Sequence, residues 1–160
     1  MKLLFVCLGN ICRSPTAEAV MRHLLEEEGL TDEIELDSAG TGSWHIGKPP
    51  DERATAAAKA RGINLTGEGR KVANNDFDES DLILTMDREN LVDVLAVAPD
   101  EEAREKVKLL REFDPQAVES GNLDVPDPYY GGEDGFENVL DLVERACRGL
   151  LDHLKADLPR

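Results

Sequence analysis

The sequence contains few cysteines and no long apolar run. Its three cysteines, Cys7, Cys12 and Cys147, are odd in number and too sparse for the disulfide framework of a small secreted protein. No segment approaches the roughly 20 apolar residues that a transmembrane helix needs. The apolar start, MKLLFV, is too short for the core of a signal peptide. We therefore expect a cytoplasmic protein with free thiols and without membrane insertion.

Basic residues and histidines are also scarce. The chain has 18 Lys and Arg residues against 34 Asp and Glu residues, which gives a formal net charge of −16. This charge argues against nucleic acid or an anionic membrane as a partner, because both would be repelled. The three histidines, His23, His45 and His153, are scattered and no second cysteine pair accompanies them, so no metal site is predicted.

Short apolar runs alternate with helical periodicity along the 160 residues, of which 41% are hydrophobic. The chain is long enough for one domain, 1–160, with a real core. The pattern predicts a single-domain α/β fold with a four-stranded parallel sheet flanked by helices on both faces, as in Rossmann or flavodoxin-like proteins. The predicted strands are 2–6, 34–38, 81–86 and 106–110, and the predicted helices include 15–28, 51–62 and an apolar stripe from Phe136 to Leu154.

The segment CLGNICRS, residues 7–14, directly follows the first predicted strand, at the edge where such sheets bind ligands. Ser14 before Pro15 is typical of a helix cap and a first helical position. The loop then presents backbone N–H groups at a helix N-terminus, a place that attracts anions. Arg13 adds a planar fork that matches two phosphate oxygens.

Two further residues of the segment suit an anion-binding loop. Gly9 lets the backbone approach closely, and Asn10 tolerates a left-handed turn. The donors that bind phosphate would also stabilise Cys7 as a thiolate, which is a nucleophile for phosphoryl transfer. The phosphate loop of nucleotide hydrolases is excluded, because the Gly-Lys-Ser/Thr ending is absent.

A second segment, DVPDPYYGG at residues 124–132, follows the fourth predicted strand and reaches the same edge of the sheet. Asp127 stands between two prolines on a stiff backbone. A carboxyl group opposite the cysteine loop is suited to protonate a leaving oxygen and then to accept a proton from water. Asp127 is therefore the predicted general acid and base.

Four motifs, VCLGNICRSP, DSAGTGSWHIGKPPD, MDREN and VPDPYYGG, together resemble the low-molecular-weight protein tyrosine phosphatases. The resemblance runs from residue 2 to about residue 155. It implies a four-stranded parallel sheet, a covalent phosphocysteine intermediate and no metal or cofactor. It also implies phosphotyrosine-containing proteins as substrates and inorganic phosphate as the product.

The resemblance assigns roles by motif. Cys7 would be the nucleophile, Arg13 the phosphate clamp and Asp127 the acid and base. Ser14 would hydrogen-bond the thiolate, while Cys12 would either trap an oxidised Cys7 as a reversible disulfide or simply pack beneath the loop. The predicted phosphate-binding and loop-supporting residues are Leu8, Gly9, Asn10, Ile11, Cys12, Ser14 and Ser38.

The expected walls of the substrate cleft are Trp44, Tyr129 and Tyr130, with Leu8 and Ile11 on the loop. A core position for Trp44 is an open alternative. Many relatives carry a histidine after the second helix that supports the loop, whereas this chain has Glu68 and Gly69 there. A solvated Glu68 is the simpler interpretation.

Four other functions compete with the tyrosine phosphatase. A protein phosphoarginine phosphatase of the same fold usually has threonine where this chain has Ile11. Arsenate reductases need a further cysteine pair around residues 80 to 90, which this chain lacks. A non-hydrolytic phosphocysteine carrier would lack the Asp127 acid, and an inactive phosphotyrosine-binding module would not need the complete set of chemical groups.

Overall fold

The computed structural model describes residues 1–128 and 134–156. They form a parallel sheet in the order β2-β1-β3-β4 with helices between the strands. The strands are β1 (Lys2–Cys7), β2 (Glu35–Gly40), β3 (Leu82–Thr85) and β4 (Val107–Leu109). The helices are α1 (Arg13–Glu28), α2 (Glu52–Lys59), α3 (Asn74–Glu79), α4 (Arg88–Val97), α5 (Glu101–Glu105), α6 (Pro115–Ser120) and α7 (Asp134–Lys155), with a 3₁₀ turn at Leu110–Phe113.

Both faces of the sheet are buried, and β1 shows this most clearly. Leu3 and Phe5 belong to a large core with α1, α2 and α7, while Leu4 and Val6 point to the opposite face and pack with α3, α4 and α5. Burial on both faces explains why β1 is a continuous apolar run rather than an alternating one. The predicted single-domain α/β fold with a four-stranded parallel sheet is confirmed.

Several predicted boundaries were wrong. The second helix ends at Lys59 rather than residue 62, because Gly62 adopts φ 78° in the turn that follows. The strands shift by one or two residues, so that β2 covers Glu35–Gly40 and β4 only Val107–Leu109. The first helix begins at Arg13 and not after Ser14. None of these shifts moves a loop away from the carboxyl edge of the sheet.

Among the described residues, no helix is long and apolar enough to cross a membrane.

Candidate active site

The loop between β1 and α1 bends back over the sulfur of Cys7. Asn10 adopts a left-handed conformation, φ 58°, and its backbone N–H donates to Cys7 Sγ at 3.2 Å. The position of Gly9 is equally restricted, since a Cβ there would stand 2.9 Å from the ring of His45. These two positions account for the Gly-Asn pair in the sequence.

Ser14 is not the helix cap that the sequence predicted. The cap position is Cys12, which makes no side-chain capping bond. The hydroxyl of Ser14 lies 3.0 Å from Cys7 Sγ in a hydrogen bond, and the Asn10 amide Nδ2 donates to the same hydroxyl at 2.9 Å. Asn10 Nδ2 also donates to Ser38 Oγ at 3.1 Å. Three of the predicted supporting residues, Asn10, Ser14 and Ser38, therefore form one hydrogen-bonded network with Cys7 beneath the loop.

Arg13 is 97% buried between the loop and two further segments. Its Nη1 donates to Asp87 Oδ2 at 2.6 Å and to the Val125 carbonyl at 2.9 Å, and its Nη2 lies 3.7 Å from Asp127 Oδ2. Burial opposes the positive charge, but the charges of Cys7 and the two carboxylates outweigh it and raise the pKa of Arg13. Arg13 is thus a permanently charged group at the base of the cleft.

Asp127 faces this arginine from the loop after β4. Its side chain is 35% exposed. The chain just before it is anchored to the end of β3, because Val125 N–H donates to the Met86 carbonyl at 2.6 Å. The two loops that the sequence singled out therefore meet at the carboxyl edge of the sheet.

A cleft of about 480 Å³ opens between these loops. Trp44 is 65% exposed, so a core position for this residue is wrong and it stands at the cleft wall. Tyr129 and Tyr130, the other predicted wall residues, lie outside the described residues. The lining residues are Cys7, Leu8, Gly9, Ile11, Cys12, Arg13, Trp44, His45 and Asp127.

This chain is similar to known proteins over nearly its whole length. The model of the family described as low molecular weight phosphotyrosine protein phosphatase matches residues 2–160. The chain belongs to this family. A low molecular weight protein-tyrosine-phosphatase of Streptomyces coelicolor is 49% identical over 150 residues, which are 94% of this chain and 91% of the relative. The prediction of a phosphatase enzyme is confirmed at the level of the family.

Two solved phosphatase structures show the same fold. A protein tyrosine phosphatase from Entamoeba histolytica with Hepes in its active site has a TM-score of 0.93 and 43% identity, and the match covers 98% of each chain. A Drosophila arginine phosphatase has a TM-score of 0.89 and 33% identity over 98% of this chain and 99% of its own. The family fold therefore accommodates both kinds of phosphatase.

Cys12 places a second thiol beside Cys7 in the cleft. Burial, and then the negative charge of Asp51 and of Cys7, raise its pKa to about 12. Cys12 is therefore a neutral thiol at physiological pH. Cys147 is fully buried in α7, where burial likewise raises its pKa. All three cysteines are free thiols.

Two further residues, Asp87 and His45, lie at this site although the sequence did not predict them there. Asp87 caps α4 by accepting the Asn90 N–H at 2.7 Å with one oxygen and binds Arg13 with the other. The MDREN motif contains Asp87, but only the fold brings it to the arginine. His45 lines the cleft beside Trp44. Its position next to Trp44 in the motif DSAGTGSWHIGKPPD is the feature of the sequence that could have indicated this.

The segment after α2 supports the loop through its backbone. Glu68 is exposed, as expected. The backbone N–H of Arg70 donates to Asn10 Oδ1 at 2.9 Å, a contact that the sequence did not predict. Within residues 1–128 and 134–156, no group of three or more His, Cys, Asp or Glu could hold a metal ion. The expected lack of a cofactor stays a prediction.

Proposed function

We propose that the protein hydrolyses phosphotyrosine in proteins, and small aryl phosphates, through a phosphocysteine intermediate on Cys7. The observation that carries this proposal is the position of Cys7 Sγ, held by Ser14 and by the Asn10 N–H at the base of a cleft that Arg13 and Asp127 also line. We further propose that residues 1–160 act as one phosphatase domain in the cytoplasm.

In the first step, Arg13 and the loop N–H groups bind the phosphate oxygens and orient phosphorus toward the Cys7 thiolate. The sulfur attacks, so that a sulfur–phosphorus bond forms as the bond from phosphorus to the phenolic oxygen breaks. The electron pair of the broken bond goes to that oxygen. The protonated carboxyl of Asp127 donates its proton there and tyrosine leaves as a neutral phenol.

In the second step, the Asp127 carboxylate accepts a proton from a water molecule while the water oxygen attacks phosphorus. The sulfur–phosphorus bond breaks and its electron pair returns to Cys7. The Ser14 hydroxyl, 3.0 Å from Sγ, stabilises the departing thiolate by donating a hydrogen bond. Inorganic phosphate is the product, and Asp127 is again protonated for the next cycle.

The cleft walls favour an aromatic substrate. Leu8, Ile11 and Trp44 give the cleft apolar surfaces against which a phenyl ring can pack. A phosphoarginine phosphatase is the second candidate, because a neighbour of the same fold is an arginine phosphatase. We expect kcat/KM for a phosphotyrosine peptide to exceed that for the matching phosphoarginine peptide, and the Ile11→Thr variant to narrow the difference. A preference for phosphoarginine in the wild type would overturn the choice.

Cys12 supports a proposed redox response of the same site. Hydrogen peroxide would oxidise the Cys7 thiolate to a sulfenic acid, and the Cys12 thiol would condense with it to a disulfide, releasing water. A dithiol reductant should then restore activity in the wild type but less completely in Cys12→Ser. Equal recovery in both proteins would favour a packing role for Cys12.

Hydrolysis of p-nitrophenyl phosphate in the presence of EDTA tests the reaction class. We expect the wild type to be active and Cys7→Ser to be inactive. Cys147→Ser is the matched control, because its thiol is buried in α7 away from the cleft. An inactive reduced wild type would overturn the enzymatic proposal and favour a phosphocysteine carrier or a binding module.

A further inference from the structure

Arg70 lies in the segment between α2 and α3, beside the end of β2. Its carbonyl accepts the Gly40 N–H at 2.8 Å, and the Gly40 carbonyl accepts the Val72 N–H at 2.8 Å. These two bonds surround the bridge between Gly40 and Lys71. The backbone of Arg70 is thereby held against the strand that also carries Ser38.

The backbone N–H of Arg70 sets the direction of the hydrogen bonds beneath Cys7. An N–H group can only donate, so the amide oxygen of Asn10 must face it, at 2.9 Å. The Asn10 NH₂ group must then face Ser14 and Ser38, to which it donates. The amide oxygen and nitrogen of Asn10 have similar shapes, so the hydrogen bonds, and not the shape of the group, decide which way the amide faces.

The same donor–acceptor direction continues to the sulfur of Cys7. Because the Ser14 oxygen accepts a hydrogen from Asn10, its own hydrogen is available to Cys7 Sγ at 3.0 Å. The other acceptor within reach, the Ala39 carbonyl, lies at 3.4 Å. A thiolate can only accept a hydrogen bond. The successive hydrogen bonds from the Arg70 N–H through Asn10 and Ser14 therefore end with the Ser14 hydroxyl donating to the sulfur.

The side chain of Arg70 holds its own backbone in place by binding two carboxylates. Its guanidinium Nη2 donates to Asp37 Oδ2 at 2.8 Å and to Asp76 Oδ1 at 2.8 Å, and Nη1 donates to Asp76 Oδ2 at 3.0 Å. Asp37 directly precedes Ser38 on β2, and Asp76 is buried in α3. The guanidinium therefore joins the strand of Ser38 to the segment that orients Asn10.

We propose that Arg70 is a positioning residue for the phosphatase reaction, because its ion pairs fix the backbone N–H that orients Asn10 and, through Ser14, supports the Cys7 thiolate. This inference rests on the proposed function. It gives Arg70 a role in turnover and not in phosphate binding, since Arg13 and the loop N–H groups bind the phosphate.

The test is a double-mutant cycle between Arg70→Met and Ser14→Ala, with kcat for p-nitrophenyl phosphate and the inhibition constant of inorganic phosphate as readouts. We expect Arg70→Met to lower kcat about tenfold, while the inhibition constant changes less than about twofold. In the Ser14→Ala background the same substitution should lower kcat less than about twofold, because the chain to the sulfur is already broken. Arg70→Lys should recover part of the loss.

Arg61→Met is the matched control: Arg70 pairs with two carboxylates, and Arg61 pairs with three, Glu137, Asp141 and Glu144, which all lie on α7. It should leave kcat unchanged. An equal effect of Arg70→Met in both Ser14 backgrounds, or an unchanged kcat, would overturn the proposal. Should Arg70→Met fail to fold, Asp37→Asn removes one arm of the fork and is judged by the same comparison. An inactive wild type would instead overturn the proposed function.

Discussion

Replacement of Asp127 by asparagine separates its proposed role as an acid from its charge. Without the proton, a poor leaving group such as the tyrosine phenolate must depart as an anion, whereas p-nitrophenolate departs readily in that form. Loss of a positioned acid costs about 10²- to 10⁴-fold in rate, or roughly 2.7–5.4 kcal/mol of transition-state stabilisation. We expect kcat/KM for phosphotyrosine to fall within this range and that for p-nitrophenyl phosphate to fall less than about tenfold.

Asp127→Asn also removes a negative charge, but this has a smaller effect on kcat/KM, and the comparison of the two substrates cancels it. Asp127 is one-third exposed and 3.7 Å from Arg13, and pairs of this exposure contribute at most about 1 kcal/mol. Both esters carry the same phosphate group, so this contribution cancels in the ratio of their kcat/KM values. Asp87→Asn also removes a carboxylate from Arg13 and is the control; it should affect both substrates equally. If Asp127→Asn also lowered both equally, the assignment of the acid would be refuted.

Three further predictions concern pH and salt. Burial raises the pKa of Cys12 from 9.0 to about 12, so the unfolded chain loses this proton at a lower pH than the folded protein, and the free energy of unfolding falls between these two pKa values. Cys12→Ala should therefore show a smaller decrease in urea midpoint than the wild type between about pH 8 and about pH 10. An equal decrease in both proteins would contradict this. Burial acts to raise the pKa of Asp76, but Arg70 and the Ala73 N–H outweigh it and hold the pKa below 3.8. The ionised Asp76 carboxylate therefore stabilises the fold above that pH and loses this effect as the pH falls. Asp76→Asn should have a lower Tm than the wild type at about pH 7, and the difference should shrink toward about pH 3. A Tm difference that does not change with pH would contradict this. With a net charge of −16, kcat/KM for aryl phosphates should rise with salt as the repulsion is screened, whereas a steep fall would indicate a locally basic cleft.

The long elements could be predicted from the sequence because their burial leaves a repeating apolar pattern. The buried stripe of α7 and the apolar run of β1 are visible in this way. The helices α3, α5 and α6 were not predicted, because they contain only five or six residues and bury few apolar side chains. Such short helices depend on capping and on contacts with the rest of the fold.

Within the site, local chemistry was predictable and long-range pairing was not. The left-handed Asn10 and the phosphate-binding character of the loop follow from residues close in sequence. Asp87 meets Arg13 across 74 positions, and the Arg70 N–H meets Asn10 across 60. Serine before proline favours a helix cap, which predicts that role for Ser14, but the hydroxyl of Ser14 bonds to Cys7, seven residues earlier. Only the packed fold decides between these hydrogen bonds.

The most direct test of the account is to trap the intermediate. The wild type would be mixed with p-nitrophenyl phosphate, quenched rapidly, digested, and examined by mass spectrometry for a phosphoryl group on each cysteine peptide. The account predicts a phosphoryl group on Cys7, its absence in Cys7→Ser, and its accumulation in Asp127→Asn, where the second step lacks its base. Full turnover with no phosphorylated Cys7, or with phosphate on another residue, would contradict it.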